Sequence, residues 1–479
     1  MKNLVPQGVW CNFHSLTQIP RPSGKKEEVS AFLAQYGRSL GLETIVDSIG
    51  NVIIRKPASP GYENHPGVIL QGHMDMVPQK NNDTIFNFET DPIEAYIDGE
   101  WVTAKGTTLG ADNGIGVAAA MAILADKSVV HPPLELLVTV DEETGMYGAF
   151  ALEGGLLQGK ILLNLDSESE GELYVGCAGG VDTTAKFHYT PVDVEEGDVA
   201  IKVSVSGCKG GHSGCDIHLQ RANANKLLFR FLKDAVANFE ARLATVEGGS
   251  LRNAIPREAS AVITVPAEGV DEVMDLVAEY EDLFVTEYEG VEDNIRFTAE
   301  EVTCPTTELP EDVQDFLIHA ITACPHGVYR VIPEMPDVVE TSNNLAMLTT
   351  ADNCITVMCL TRSSVESRKE ELQEIIQSVF ALAGAEVEFS GSYPGWKPNL
   401  NSRILGVMQD VYKQEFNATP RIIIIHAGLE CGIIGRNYPG MDMISFGPTI
   451  KYPHSPDERV NIPSVEKFYH FLLATLKAL

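Results

Sequence analysis

The stretch Val68-Ile-Leu-Gln-Gly-His73-Met-Asp75 constrains this chain more than any other. It opens as a run of aliphatic and β-branched residues, the pattern of a buried strand. It closes in His73 and Asp75, and residues two apart in extended chain leave on the same face. An imidazole and a carboxylate therefore emerge together where the strand ends. A metal-bound histidine commonly gives its other ring nitrogen to such an acceptor, although a lone His-x-Asp more often marks a hydrogen-bonded loop. Here the pattern recurs. Leu134-Glu-Leu-Leu-Val-Thr-Val runs into Asp141-Glu142-Glu143, Lys160-Ile-Leu-Leu-Asn-Leu runs into Asp166-Ser-Glu168, and Met441–Phe446 leads into a loop carrying His454. In an open α/β sheet, ligands bind beyond the carboxyl ends of the strands. Acids gathered in one such crevice repel one another unless a cation holds them, so a cation cluster is the economical reading.

Asp112 lies in a loop with Gly106, Gly110, Gly114 and Gly116, just before the helical run from Val117. It reads equally as a helix N-cap and as a metal ligand, and the four glycines imply a close approach to something. Adjacent Glu142 and Glu143 point to opposite faces if the backbone is extended, so that one can meet metal and the other substrate. The first 60 residues carry no evident chemistry. Composition shifts near Gly176-Cys-Ala-Gly-Gly180. From 181 to about 395, alternating strands and helices suggest an inserted α+β domain, in two similar halves of roughly 100 residues, a natural domain size. The expectation is a first catalytic part over 1–180, a lid over 181–395 and a second catalytic part over 396–479, ending in a helix from Ile462 with Ser464 as its cap. The fold class is α/β, a mixed sheet flanked by helices with an α+β insertion.

A chain of 479 residues with 44% hydrophobic and 21% charged residues has the balance of a globular protein. Its net charge of −32 argues against nucleic acid or an anionic membrane as partner. Nine cysteines without a C-x-x-C pair argue against a zinc ribbon or disulfide framework. No stretch has the length of a signal-peptide core or of a membrane helix, and the expected location is the cytoplasm.

Taken in order, Gly72-His73-Met-Asp75, Gly110-Ala-Asp112-Asn-Gly114, Asp141-Glu142-Glu143, Asp166 and His454 resemble the pattern of the di-zinc exopeptidases. That family includes carboxypeptidase G, acetylornithine deacetylase, tripeptidase T and the carnosinases. Leu163-Asn-Leu-Asp-Ser-Glu168, Gly210-Gly-His-Ser-Gly214, Arg252-Asn-Ala-Ile-Pro256 and His426-Ala-Gly-Leu-Glu-Cys-Gly432 look most like its dipeptidase branch. The resemblance runs nearly end to end. It implies two zinc ions, replaceable by cobalt or manganese, bridged by Asp112. His73 and Asp166 would complete one site, Glu143 and His454 the other. It implies Asp75 as the group orienting a metal-binding histidine, Glu142 as general base toward a zinc-activated bridging water, and His212 as an oxyanion donor reaching the site across a dimer interface. Asn253, Arg362 and Glu430 would bind substrate, Glu430 at its amino end. The implied activity is hydrolysis of unblocked dipeptides, Xaa-His peptides such as β-alanyl-histidine included, by a homodimer. An N-acyl amino acid deacylase on the same site and a non-catalytic metal-binding scaffold are the alternatives. Cys177, Cys208 and Cys215 read as ordinary thiols, and His426 as a structural histidine.

Overall fold

Four of the apolar runs pair side by side. In the computed structural model, which describes residues 1–479, Leu134–Thr139, Val68–His73, Ile161–Asn164 and Asp442–Ser445 lie next to one another, all parallel. Parallel strands end at the same edge, so His73, the turn after Thr139 and the segment after Asn164 share one rim. Val68–His73 is buried along its whole length, as are Leu134–Thr139 and Ile161–Asn164. Continuous burial explains why these strands read as apolar runs rather than as alternating ones. Four further strands extend this sheet to eight, in the order Glu43–Val46, Val52–Lys56, Leu134–Thr139, Val68–His73, Ile161–Asn164, Asp442–Ser445, Glu172–Cys177, Arg421–Ile425. The helix Ala111–Ala125 is buried over nearly its whole surface, and its alanines and glycines let it seat closely. The terminal helix Ile462–Ala478 is capped by Asn461, whose side chain accepts from Ser464 N. Ser464 is therefore not the cap. Its hydroxyl accepts from Thr449 N instead.

The chain divides into two compact units, one of residues Met1–Gly176, Trp396–Ile424 and Leu429–Leu479, the other of Cys177–Gly395 and Ile425–Gly428. The second is built on an antiparallel sheet with the order Arg296–Val302, Asp198–Ser206, Ala259–Pro266, Arg242–Gly248, Met335–Ala351, Cys354–Ser363, Gly179–His188, Glu386–Tyr393. Gly327–Ile332 adds to the edge of Met335–Ala351. The first four strands come from one continuous segment, and they join the other four through the single register pair Gly248–Leu348. Inward residues such as Ile201, Val203, Leu243 and Ile263 alternate along the strands and pack against Phe229, Phe231, Phe284 and Phe380 of the helices.

Candidate metal centre

Asp112 stands at the centre of the shared rim. Its Oδ1 is 3.1 Å from His73 Nε2 and its Oδ2 is 3.1 Å from His454 Nε2. Asp166 Oδ1 lies 3.2 Å from the same His73 nitrogen, and Glu143 Oε2 lies 3.0 Å from the same His454 nitrogen. The five residues thus form two imidazole–carboxylate pairs sharing one carboxylate. Asp112 caps no helix. Gly110 occupies the cap position without a side-chain bond, and both Asp112 oxygens face imidazoles rather than helix N–H groups. The N-cap alternative is overturned.

Electrostatics tie these five groups together. Burial alone would lower the His73 imidazole, but Asp166, Asp112 and Asp75 outweigh it and hold the ring well above the usual histidine range. Hydrogen bonds to Asp112 and Glu143 push His454 up to about 11. Asp112, despite its burial, is held low by the two rings. Glu143 Oε1 and Asp166 Oδ1 are buried without a hydrogen bond that meets geometric criteria. Unpartnered carboxylate oxygens beside imidazole nitrogens, with no thiolate in the set, fit divalent metal of the zinc, cobalt or manganese type. One ligand atom each from His73, Asp112 and Glu143 already lies within 4.8 Å of the others.

Asp75 faces the other nitrogen of His73, with Oδ1 3.5 Å from Nδ1. It also accepts from Glu142 N at 3.0 Å, Glu143 N at 3.3 Å and the Ser23 hydroxyl at 2.8 Å. One carboxylate thereby ties the His73 strand to the acidic turn. That turn is not extended. Asp141 has φ 52° and is drawn away to Gly24 N and Lys26, so its position rather than strand alternation separates the three acids. Burial, and after it the neighbouring Asp166, Glu430 and Glu143, push the Glu142 carboxyl well above the usual carboxylate range despite the opposing His73.

Three positioning groups escaped the sequence reading. Glu458 accepts four backbone N–H groups, from Leu109, Gly110, Ala111 and Asp112, at 2.7 to 3.2 Å. Buried Arg21 donates to Met74 O, Asp75 O and Gly110 O. Ser23 completes Asp75. Arg21 and Ser23 lie in the segment expected to carry no chemistry. A Cβ on Gly110 or on Gly114 would meet Arg21 Nη2 at 2.5 Å, so at these two positions the close approach is to this chain's own guanidinium. Glu458 follows His454 by four residues in the sequence, and only the fold supplies the loop it binds.

Glu430 opens the helix Glu430–Asn437 and is 1% exposed. Its Oε2 accepts from Gln71 Nε2 at 2.5 Å and Thr139 Oγ1 at 2.7 Å. Burial pushes it up to about 8.

The second unit gathers His212, Asn253 and Arg362. Gly211 and His212 pair with Ile255 and Ala254, Ser213 N donates to Asn253 O, and Asn344 Nδ2 holds Arg252 O and Ala254 O. Arg362 is buried, 5% exposed. It donates to Tyr393 Oη at 2.8 Å and to Ser213 Oγ at 3.4 Å. His212 Nδ1 accepts from Gly214 N and Cys215 N, and burial followed by Arg362 lowers its affinity for a proton. The neutral ring therefore carries its hydrogen on Nε2. His426 is buried, with Nε2 2.7 Å from Ser342 Oγ. Burial raises the Cys208 thiol to about 12, unsuited to a nucleophile.

Residues 69–478 match peptidase family M20/M25/M40. The chain is 47% identical over 477 residues to the cytosol non-specific dipeptidase of Escherichia coli (strain K12), covering 100% of this chain and 98% of that protein. It superposes on the crystal structure of aminoacylhistidine dipeptidase from Vibrio alginolyticus with a TM-score of 0.94 and 49% identity, covering 100% of this chain and 98% of the other. The aminopeptidase PepT of Bacillus cereus shares the fold at TM-score 0.58 and 16% identity, over 99% of each chain.

Proposed function

Because the chain belongs to peptidase family M20/M25/M40, and is thus an enzyme that hydrolyses peptide bonds, we propose that it is a metal-dependent dipeptidase. Its substrates are unblocked dipeptides, Xaa-His peptides such as β-alanyl-histidine among them. The observation that carries this reading is the divided Asp112 carboxylate, each oxygen facing its own histidine and second carboxylate. His73 and Asp166 would hold one ion, Glu143 and His454 the other, with Asp112 shared and zinc as the metal. Such ions supply Lewis acidity toward a carbonyl and lower the pKa of bound water from ~15.7 toward ~7.

The chain's own groups do the rest. Glu142 is the general base. Its side chain forms no hydrogen bond to protein, and its surroundings raise its affinity for a proton, so it can take one from water and return it to the leaving amine. Asp75 orients His73. His212, neutral with Nε2–H free to donate, is the group for a carbonyl oxygen as charge develops on it. Arg362, held by Tyr393 and Ser213, can pair with a terminal carboxylate, which makes the enzyme read substrate length, and Asn253 is a second substrate contact. The reading includes a homodimer in the cytoplasm, and no helix is long and apolar enough to cross a membrane.

The test is histidine release from β-alanyl-histidine and leucyl-histidine by zinc-reconstituted protein, beside a chelator-stripped control and an N-acetyl-histidine arm. Release from the free dipeptides that vanishes on stripping and returns with zinc is expected. Release confined to the N-acetyl substrate would replace the dipeptidase with a deacylase. Bound metal with no release in any arm would leave the scaffold.

A further inference from the structure

The ligand-bearing strands share a second layer of polar groups, one step behind the metal centre. Gln71 lies two residues before His73, Thr139 ends the strand before the acidic turn, and Asn164 lies two residues before Asp166. In the register Gln71 pairs with Asn164, and Asn164 with Ser445. All four are 0% exposed. Buried polar side chains in the middle of a parallel sheet are costly unless their hydrogen bonds are completed, and here they complete one another. Glu430 Oε2 accepts from Gln71 Nε2 and Thr139 Oγ1. Gln71 Oε1 accepts from Asn164 Nδ2 at 2.5 Å. Asn164 Oδ1 accepts from the Ser445 hydroxyl and from Asp166 N at 3.3 Å. At the other end Thr139 Oγ1 also lies 3.2 Å from Gly72 O, beside His73.

This row has a direction. Each amide offers an oxygen on one side and an NH2 on the other. The Glu430 Oε2 atom accepts from both its neighbours, which fixes Gln71 with its NH2 toward Glu430 and its oxygen toward Asn164. Asn164 must then turn its own oxygen toward Asp166 N–H. A reversed row would set the Asn164 NH2 against that N–H, donor to donor. We propose that Glu430 is a positioning residue for the metal centre, acting through Gln71 and Asn164 to hold the backbone that presents Asp166, and through Thr139 to hold the backbone beside His73. This differs from a contact with the substrate's amino end, and it rests on the metal-centre reading above.

The test measures zinc. Affinity is read by competition with a fluorescent chelator, stoichiometry by elemental analysis, and folding of the stripped proteins by circular dichroism. Wild type taking up no zinc would sink the metal-centre reading itself. With wild type binding zinc, Glu430→Leu removes the terminal acceptor and loses about 10- to 100-fold in affinity, the range for groups that orient metal ligands. Glu430→Gln keeps an acceptor oxygen and stays within about threefold of wild type on the same scale. Gln71→Met, which breaks the row at its second link and leaves Glu430 in place, weakens zinc as Glu430→Leu does, and it serves if that variant fails to fold. Wild-type affinity in Gln71→Met, or equal losses in Glu430→Gln and Glu430→Leu, would overturn the proposal. A purely structural role would lower the melting temperature of the stripped variants and leave zinc affinity unmoved.

Discussion

At the residue scale, neighbouring acids of one chemical type are given different tasks by their surroundings. Asp141 is turned back to Gly24 and Lys26, Glu143 reaches His454, and the Glu142 side chain is left without a hydrogen bond in a half-buried, acidic environment. The proposed base follows from that contrast. Glu142→Gln keeps the shape and removes the proton acceptor, so turnover should fall by at least the 10²- to 10⁴-fold typical of general-base loss, with zinc stoichiometry unchanged by elemental analysis. Turnover near wild type in a metal-loaded variant would move the base elsewhere. The three acids were visible in the chain as a run after an apolar strand. Their division of labour was not, because it depends on the left-handed backbone at Asp141 and on partners more than 60 residues away.

At the element scale, the loop before the helix Ala111–Ala125 is held by a carboxylate from the far end of the chain. Helix starts leave backbone N–H groups without partners, and an anion is favoured there. Glu458 takes four of these donors, two to each oxygen, and so sets Asp112 between the two histidines. Bonds to a charged acceptor contribute about 1.5–3 kcal/mol each, and buried donors left bare cost about 1–3 kcal/mol. Glu458→Ala should therefore destabilise the metal-free protein by roughly 3 kcal/mol or more, read by denaturant titration, with weaker zinc binding in consequence. A change under about 1 kcal/mol would mean that water replaces the carboxylate fully. The helix itself was legible from its alanine run. Its cap was not, because the capping group lies 346 residues beyond Asp112.

At the scale of the whole molecule, acid sensitivity has an identifiable source in the second unit. Burial, reinforced by Lys226, lowers His326 to about 3, and burial, reinforced by Arg362 and two other histidines, lowers His426 to about 3. Both rings are neutral in the fold, whereas an unfolded histidine takes up a proton below pH ~6.5. Between those values the unfolded chain binds more protons, so stability rises with pH and is lost as pH falls from ~6.5 toward 3. Each ring should cost about 2 kcal/mol between pH 7 and pH 5. The gap between melting temperatures at the two pH values should narrow in His326→Gln, the His426 share remaining, at the expense of a lower value at pH 7. An unchanged pH slope in that variant would exclude His326 as a source. The parallel strands and the acids and imidazoles beyond their ends were open to inspection in the sequence, because each is written locally, in apolar runs and in i and i+2 pairs. The sequence by itself determined which residues are candidates to bind metal and that an α/β sheet would carry them. Only the tertiary structure decided which carboxylate each histidine meets, that Arg21, Ser23 and Glu458 brace the centre, and that Glu430 is sealed beneath it. Those outcomes depend on hydrogen bonds between segments up to some 360 residues apart, and a buried polar group takes whichever partner the packed chain brings within reach.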